Sequence, residues 1–237
     1  MENSALQEAF CSAAAILGVN AFVDARFRRR AGLGASVRLR SGKISASVSD
    51  GYAAAPRSVL VGLALSLMSK IYHRRVTSPY IDDYKEFSSR ESVSKLHDAL
   101  RRGRGRKRTE GAVGRAYDLG EILTRVRVEY ADVLAGVVSS PSIVWSSHRG
   151  SRVLGFHDSA FSQIVINRIL DNPRVPEFVV EYVVFHELLH CKHRVLFQRG
   201  KSMRRTVHSG DFKKDEKKFR FYAAANAWLS HSRGILA

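Results

Sequence analysis

Two histidines and a glutamate lie together in the segment His186-Glu187-Leu188-Leu189-His190. Residues four positions apart on an α-helix project from one face, about one turn apart, so both imidazoles can bind one metal ion. Glu187 is rotated by about 100° from His186, which places its carboxylate beside the ion and outside its first coordination shell. A glutamate in that position can deprotonate a zinc-bound water. The spacing therefore predicts a zinc-dependent hydrolase, with peptide hydrolysis as the favoured reaction.

A catalytic zinc ion needs a third protein ligand and an open position. His193 would lie about 10 Å beyond the first histidine on the same helix, so we expect it at the surface or behind the ligands. His208 follows a basic loop and precedes another predicted helix, so the chain can return to the ion there. We therefore favour His208. Asp211 and Glu216 remain alternatives, because related sites use a carboxylate, although Asp211 also suits a helix cap and Glu216 a surface charge. We expect both to have a structural role or to lie behind the ligands.

The helix that carries both histidines is predicted to begin at Val175-Pro176-Glu177 and to run as far as Leu196. The other predicted elements are a helix over residues 5–17, a β-hairpin of residues 37–40 and 44–48, a helix over 56–72, a helix capped by Asp118, short strands over 142–146, 152–155 and 163–167, and a helix from Asp211 through Trp228. This pattern indicates an α+β fold, with a small antiparallel or mixed sheet packed on the histidine helix.

Residues 101–108 read Arg-Arg-Gly-Arg-Gly-Arg-Lys-Arg, without one apolar side chain. Such a segment cannot pack into a core, so we expect a mobile basic linker over residues 101–112. The linker divides the chain into two predicted parts. Residues 1–110 form an N-terminal α/β extension with a helix, a hairpin, a long helix and the linker, and residues 113–237 form the core that carries the histidines.

The chain is strongly basic, with 39 Lys and Arg against 22 Asp and Glu, a formal charge of +17 and a pI near 10.4. So much positive charge favours a polyanionic partner, with nucleic acid as the first candidate and an anionic membrane surface as the second. Non-specific DNA or RNA contacts through phosphates are expected, although each cluster alone is equally consistent with a solvated surface. The clusters are residues 26–30, residues 101–108, Arg204 with Arg205, and the lysines between 213 and 218.

Cysteine content and hydropathy indicate in which cellular compartment the protein is expected. Cys11 and Cys191 are far apart in dissimilar contexts, which indicates no disulfide framework and favours a reducing compartment. The N-terminus Met1-Glu2-Asn3-Ser4 does not resemble a signal peptide. The most apolar stretch, residues 59–68, is shorter than the roughly 20 residues needed to cross a bilayer. We therefore expect a cytoplasmic protein that does not span a membrane, with association to a nucleoid or nucleus as an alternative.

A series of motifs within residues 118–229 resembles those of a known family. They are Trp145-Ser146, Leu154-Gly155-Phe156-His157-Asp158, Ile164-Val165-Ile166, Val175-Pro176, residues 181–190 and His208-Ser209-Gly210-Asp211-Phe212. Together they resemble the SprT-like zinc metallopeptidases. The resemblance implies a zincin-like core, zinc bound by His186, His190 and His208, and Glu187 as catalytic base. Some relatives carry a cysteine-rich zinc ribbon that this sequence lacks, and the N-terminal third lies outside the resemblance.

Several further roles are weighed for residues around the predicted cleft. The strand over residues 164–167 is expected to form the sheet edge to which an extended substrate adds. His157 and Asp158 are candidates for the cleft wall. Tyr182 or Tyr222 is a candidate for stabilising an oxyanion, against the alternative that each is a buried, hydrogen-bonded residue.

Three functional hypotheses follow from these patterns. The leading one is a zinc metallopeptidase acting on a protein or peptide substrate, including proteins associated with nucleic acid, as some SprT-like relatives do. The second is a nucleic-acid-binding protein that retains zinc for structure and has little peptidase activity. The third is a latent peptidase whose N-terminal region covers the cleft until a partner displaces it. The sequence leaves the oligomeric state open.

Overall fold

The computed structural model describes residues 2–137, 140–150, 153–193, 196–198 and 204–231, with the backbone alone at residue 2, 196–198 and 204–206. The fold is mixed α+β, as predicted. The chain forms two compact units. Unit 1 comprises Met1–Arg106 and Leu196–Thr206, and unit 2 comprises Lys107–Val195 and Val207–Ala237.

Eight helices and eight strands lie in the described residues. The helices are α1 (Glu2–Ile16), α2 (Arg57–Ile71), α3 (Pro79–Ser89), α4 (Glu91–Arg104), α5 (Leu119–Glu129), α6 (Glu177–Lys192), α7 (Gly210–Glu216) and α8 (Tyr222–His231). The strands are β1 (Phe22–Arg28), β2 (Ala35–Arg40), β3 (Lys43–Ser49), β4 (Ser142–Trp145), β5 (Gly155–Asp158), β6 (Gln163–Ile166), β7 (Leu196–Gln198) and β8 (Arg204–Thr206). No helix in this described part is long and apolar enough to cross a membrane.

The sheet of unit 1 has the order β1-β3-β2, with β1 parallel and β2 antiparallel to β3. β2 and β3 form the predicted hairpin, and Ser41 and Gly42 make its turn with φ angles of 46° and 73°. One face of the sheet is apolar and packs in the core of unit 1 with α1 and α2. The side chain of Gln7 on α1 bonds both Val23 O and Ala25 N, which covers the outer edge of β1.

The helices of unit 1 include two that were predicted and two that were not. α1 and α2 form near the predicted bounds, and most of α2 is buried. α3 and α4 were missed. α3 crosses α2 at Gly62, where an added Cβ would collide with the carbonyl oxygen of Tyr80. Glycine therefore allows the two helix backbones to approach closely.

The expected linker over residues 101–112 is helical through Arg104, so the prediction of a mobile segment was wrong there. Arginines in the last turn of α4 complement the helix dipole. Arg104 also donates to Oδ1 of Asp50 at 2.6 Å and to the carbonyl oxygen of Arg30. Beyond it, the backbone of Arg108 exchanges hydrogen bonds with the Gln163 side chain in unit 2. These contacts give the basic segment fixed partners.

The sheet of unit 2 has the order β4-β6-β5, with β6 parallel to β4 and antiparallel to β5. The prediction that residues 164–167 form the sheet edge was therefore wrong, because β6 is central and buried along its length. A strand was expected over residues 152–155, whereas β5 begins at Gly155, and Arg152 lies outside the described residues. A strand buried on both faces reads as a continuous apolar run, which does not reveal its place in the sheet.

Capping residues define the helices around the core of unit 2. Asp118 caps α5 as predicted and accepts from Gly120 N and Glu121 N. The expected cap at Asp211 was wrong, because Ser209 caps α7 and accepts from Phe212 N at 3.1 Å. The single helix expected from Asp211 through Trp228 is instead α7 and α8.

Candidate metal centre

α6 carries His186, Glu187 and His190 in the core of unit 2. The apolar residues on either side of them, including Val184, Leu188 and Leu189, are fully buried, so packing fixes the rotation of the helix about its axis. α6 ends at Lys192, earlier than the predicted Leu196. The helix thus presents both imidazoles from a rigid element and not from a loop.

His208 joins the two helical histidines, as the reach argument predicted. The Nε2 atoms of His186 and His190 are 3.2 Å apart, and the Nε2 atoms of His190 and His208 are also 3.2 Å apart. Tetrahedral zinc with bonds of about 2.0–2.1 Å to nitrogen requires ligand nitrogens about 3.3 Å apart. The donor type and spacing therefore fit a zinc ion held by three imidazoles, and this is the one such cluster among the described residues.

The ring of Phe212 packs against all three imidazoles. Its ring is fully buried, and its centroid lies 5.1, 4.8 and 4.7 Å from those of His186, His190 and His208. The cap at Ser209 starts α7 directly after His208 and thereby fixes the turn that directs the imidazole to the cluster. The sequence placed Phe212 in the motif that follows His208, but its contact with all three imidazoles was not predicted.

Glu216 is buried and orients His186, so the interpretation as a surface charge was wrong, whereas the expected position behind the histidines agrees with its contacts. Nδ1 of His186 donates to Oε1 of Glu216 at 2.6 Å, and the hydroxyl of Tyr182 donates to the same oxygen at 2.9 Å. Burial raises the pKa of Glu216, but these two hydrogen bonds outweigh it and leave the pKa below its usual value. An ionised carboxylate on Nδ1 fixes the tautomer whose Nε2 lone pair is available to a metal.

Glu187 is only 4% exposed, and its Oε2 has no hydrogen-bond partner among the described residues. Burial raises the pKa of Glu187 to about 7, although the neighbouring His186 lowers it. The carboxylate packs against β5, where a Cβ added to Gly155 would lie 2.9 Å from Oε1. Glycine at this position was missed as a functional residue, and only its place in the Leu154-Gly155-Phe156 motif could have marked it.

The surroundings of His190 and His208 favour the neutral imidazole, which is the form that binds metals. Burial lowers the pKa of His190 to about 4, and the nearby His186, His208 and His157 lower it further. Burial and His186 also lower the pKa of His208. Because neutral imidazole is the ligand form, the site favours a cation over protons near neutral pH.

The other candidate residues lie away from the three nitrogens. His193 bonds Oδ2 of Asp215 at 3.0 Å, consistent with a position behind the ligands. Asp211 is exposed and pairs with Lys214. The hydroxyl of Tyr182 is engaged by Glu216 and Asn226, so it is the buried, hydrogen-bonded residue of the alternative interpretation. Tyr222 packs edge-on against that ring.

His157 and Asp158 lie on β5, and both are half-buried. His157 also contributes to the lowered pKa of His190. Among the basic clusters, Lys218 pairs with Asp215, as does Lys192 outside them, and the side chains of Arg204 and Arg205 lie outside the described residues.

No family model, curated protein or solved structure matches this chain. The resemblance to SprT-like metallopeptidases therefore stays a prediction. The geometry around His186, Glu187, His190 and His208 is the basis for assigning a function.

Proposed function

We propose that this protein is a zinc-dependent metallopeptidase with a zincin-like core, in which His186, His190 and His208 hold the ion. One observation carries the proposal, the convergence of three Nε2 atoms next to a buried carboxylate whose Oε2 has no hydrogen-bond partner in the described chain. When bound, zinc would act as a Lewis acid that polarises the scissile carbonyl group.

Glu187 supplies the proton transfer in this proposal. Its Oε2 accepts a proton from the attacking water and then delivers it to the leaving amine nitrogen. A pKa of about 7 suits both steps near neutral pH, because the group can gain and lose the proton readily. Glu216 contributes by holding the imidazole of His186 with Nε2 directed at the metal position.

The substrate is proposed to bind along β5 and not along β6. β5 pairs with β6 on one side, and no strand in the described part of the chain pairs with its other side. An extended peptide that adds to this edge would run past Gly155 and the carboxylate of Glu187. Recognition through main-chain hydrogen bonds tolerates many sequences. The charge of +17 supports proteins associated with nucleic acid as one substrate class.

Zinc content and proteolysis of the full chain test the proposal together. We expect a single zinc ion per chain in wild type and in Glu187→Gln, but loss of zinc in His190→Ala. Cleavage of β-casein should fall by about 10²–10⁴-fold in Glu187→Gln, because general-base catalysis is removed. His148→Ala is the matched control, since His148 is exposed and outside the cluster.

A zinc-containing wild type that cleaves neither casein nor DNA-bound protein, with or without DNA, would contradict the peptidase proposal. That result would favour a structural zinc in a nucleic-acid-binding protein. The exposure of His208 argues against this alternative, because structural zinc sites are closed by four protein ligands.

A further inference from the structure

The outer face of the unit 1 sheet is strongly basic and largely exposed, apart from the end of β3 at Ser49. Strand alternation and register place every second side chain of β1, β2 and β3 on this face, opposite the apolar face that packs in the core. We call it the basic sheet face, and its charged and aromatic members are Phe22, Asp24, Arg26, Arg28, Arg38, Arg40 and Lys43. The one carboxylate, Asp24, pairs with Arg26 at 2.9 Å and Lys43 at 3.4 Å. Cations therefore remain in clear excess.

Phe22 gives the basic sheet face an aromatic surface. The ring is 69% exposed, and Nζ of Lys43 lies 5.4 Å from its centroid. A single exposed apolar residue needs no explanation by itself. Here the exposed ring stands at the first position of a strand, within a group of five cations. Proteins use this combination to bind single-stranded nucleic acid, because bases stack on the ring while phosphates bind the cations.

Cations of the β2–β3 hairpin line a cavity on the basic sheet face. It has a volume of about 310 Å³ and is lined by Arg38, Arg40, Lys43 and Ser45. Arg40 and Lys43 face each other across the hairpin, as do Arg38 and Ser45. The lining contains two guanidinium groups, an ammonium group and a hydroxyl, with no carboxylate. These donors match the oxygens of a phosphate group.

We propose that the basic sheet face binds single-stranded nucleic acid, with a base stacked on Phe22 and backbone phosphates bound by Arg38, Arg40 and Lys43. A duplex keeps its base faces stacked inside the helix, so it could use the cations but not the ring. The binding is expected to depend on salt and to be tolerant of sequence. It stands independently of the metal centre.

Fluorescence anisotropy with the full chain tests this site. The probes are a labelled single-stranded thymidine oligonucleotide and a duplex of the same length. Phe22→Leu removes the aromatic face but keeps an apolar side chain, and we expect about tenfold weaker binding of the single strand with the duplex unaffected. Phe22→Trp should bind as well as wild type, and its fluorescence should be quenched by the bound strand.

Charge reversal tests the phosphate contacts. The double variant Arg38→Glu, Arg40→Glu should bind the single strand more than about tenfold more weakly, and the slope of log affinity against log salt should fall by about 1.4, for two lost contacts. The matched control is Lys70→Glu, Arg75→Glu, which makes the same charge change at exposed cations outside the sheet. We expect less than about a twofold effect in the control.

Two outcomes would overturn the proposal. An equal loss in both double variants would mean diffuse attraction by the net charge. An unchanged affinity in Phe22→Leu, with the duplex bound as tightly as the single strand, would mean a duplex interface without stacking. Glu187→Gln should bind the oligonucleotide as wild type does, so a failure of the peptidase proposal would remain distinguishable.

Discussion

The two units bury different kinds of side chain. The core of unit 1 is apolar, and its buried polar residues within the described ranges are two serines, Ser49 and Ser78. Unit 2 buries amides and carboxylates, and these are Gln163, Asn167, Asp171, Glu187, Asp215 and Glu216. A buried carboxylate costs stability unless hydrogen bonds compensate it. Unit 2 therefore has a stability cost from buried carboxylates that the core of unit 1 does not have. The difference locates the candidate chemistry in unit 2, whereas the candidate function of unit 1 lies on its outer surface.

Asp171 and Asp215 show how unit 2 compensates most of this cost. Asp171 accepts hydrogen bonds from Arg115 N and Ala116 N at 2.8 Å each. Burial raises the pKa of Asp215, but hydrogen bonds from Lys192, Lys218 and His193 outweigh it and hold the pKa well below its usual value. Glu187 differs, because its Oε2 has no such partner in the part of the chain that the structure describes. An uncompensated buried carboxylate beside three histidines is the feature that separates a site from a structural network.

The largest expected effect on stability comes from Gly62→Ala in unit 1. The new Cβ would collide with the Tyr80 carbonyl, so α2 and α3 must move apart, at a cost of about 3 kcal/mol. Hydrogen exchange measured by mass spectrometry should show faster exchange in α2 and α3. Exchange in α6 and the zinc content should not change. Loss of zinc in this variant would break the comparison, because the metal centre would then depend on the packing of unit 1.

Gly155→Ala is the counterpart in unit 2, where the close approach is to the proposed catalytic base, Glu187. The added Cβ would lie 2.9 Å from Oε1 of Glu187, so the carboxylate must shift. We expect cleavage of casein to fall by about 100-fold while zinc is retained, since a displacement of about 1 Å has such an effect on catalysis. Gly111→Ala is the control, because its Cβ would meet nothing closer than 3.9 Å. Unchanged cleavage in Gly155→Ala would argue against Glu187 as the base.

The sequence predicted the residues of the site better than the elements around them. Helical spacing is a local property, so His186 and His190 were identified directly, and reach along the chain selected His208. The place of β6 in the sheet depends on which strands pair with it, and that is a non-local property. Likewise Glu216 contacts His186 across 30 residues, so no local pattern could distinguish it from a surface charge.

Strand β1 was not predicted from the sequence, and the cause is different. Its inward residues Val23, Ala25 and Phe27 alternate with polar ones as in any half-buried strand. The arginines on its outer face favoured the interpretation as a basic cluster instead. The same alternation that was overlooked is what places Phe22 and these arginines together on the basic sheet face.

Glu216→Gln should weaken zinc binding by about 10–100-fold, because a neutral amide holds the Nδ1 proton of His186 less firmly than a carboxylate does. Competition with a chelator measures the affinity. Glu121→Gln is the matched control, since Glu121 is exposed on α5. An equal affinity in both variants would show that packing by Phe212 alone positions the ligand.

The smallest expected effect is a gain of stability from Gly103→Ala in unit 1. Gly103 lies in the last turn of α4, and a Cβ there would meet nothing within 4 Å. Alanine reduces the conformational freedom of the unfolded chain, so the free energy of unfolding should rise by about 0.5 kcal/mol. Thermal unfolding followed by circular dichroism measures the change. The opposite signs expected for Gly62→Ala and Gly103→Ala would show that close helix packing, and not glycine content, limits the stability of unit 1. A loss of stability in Gly103→Ala would contradict the helical conformation of this basic segment.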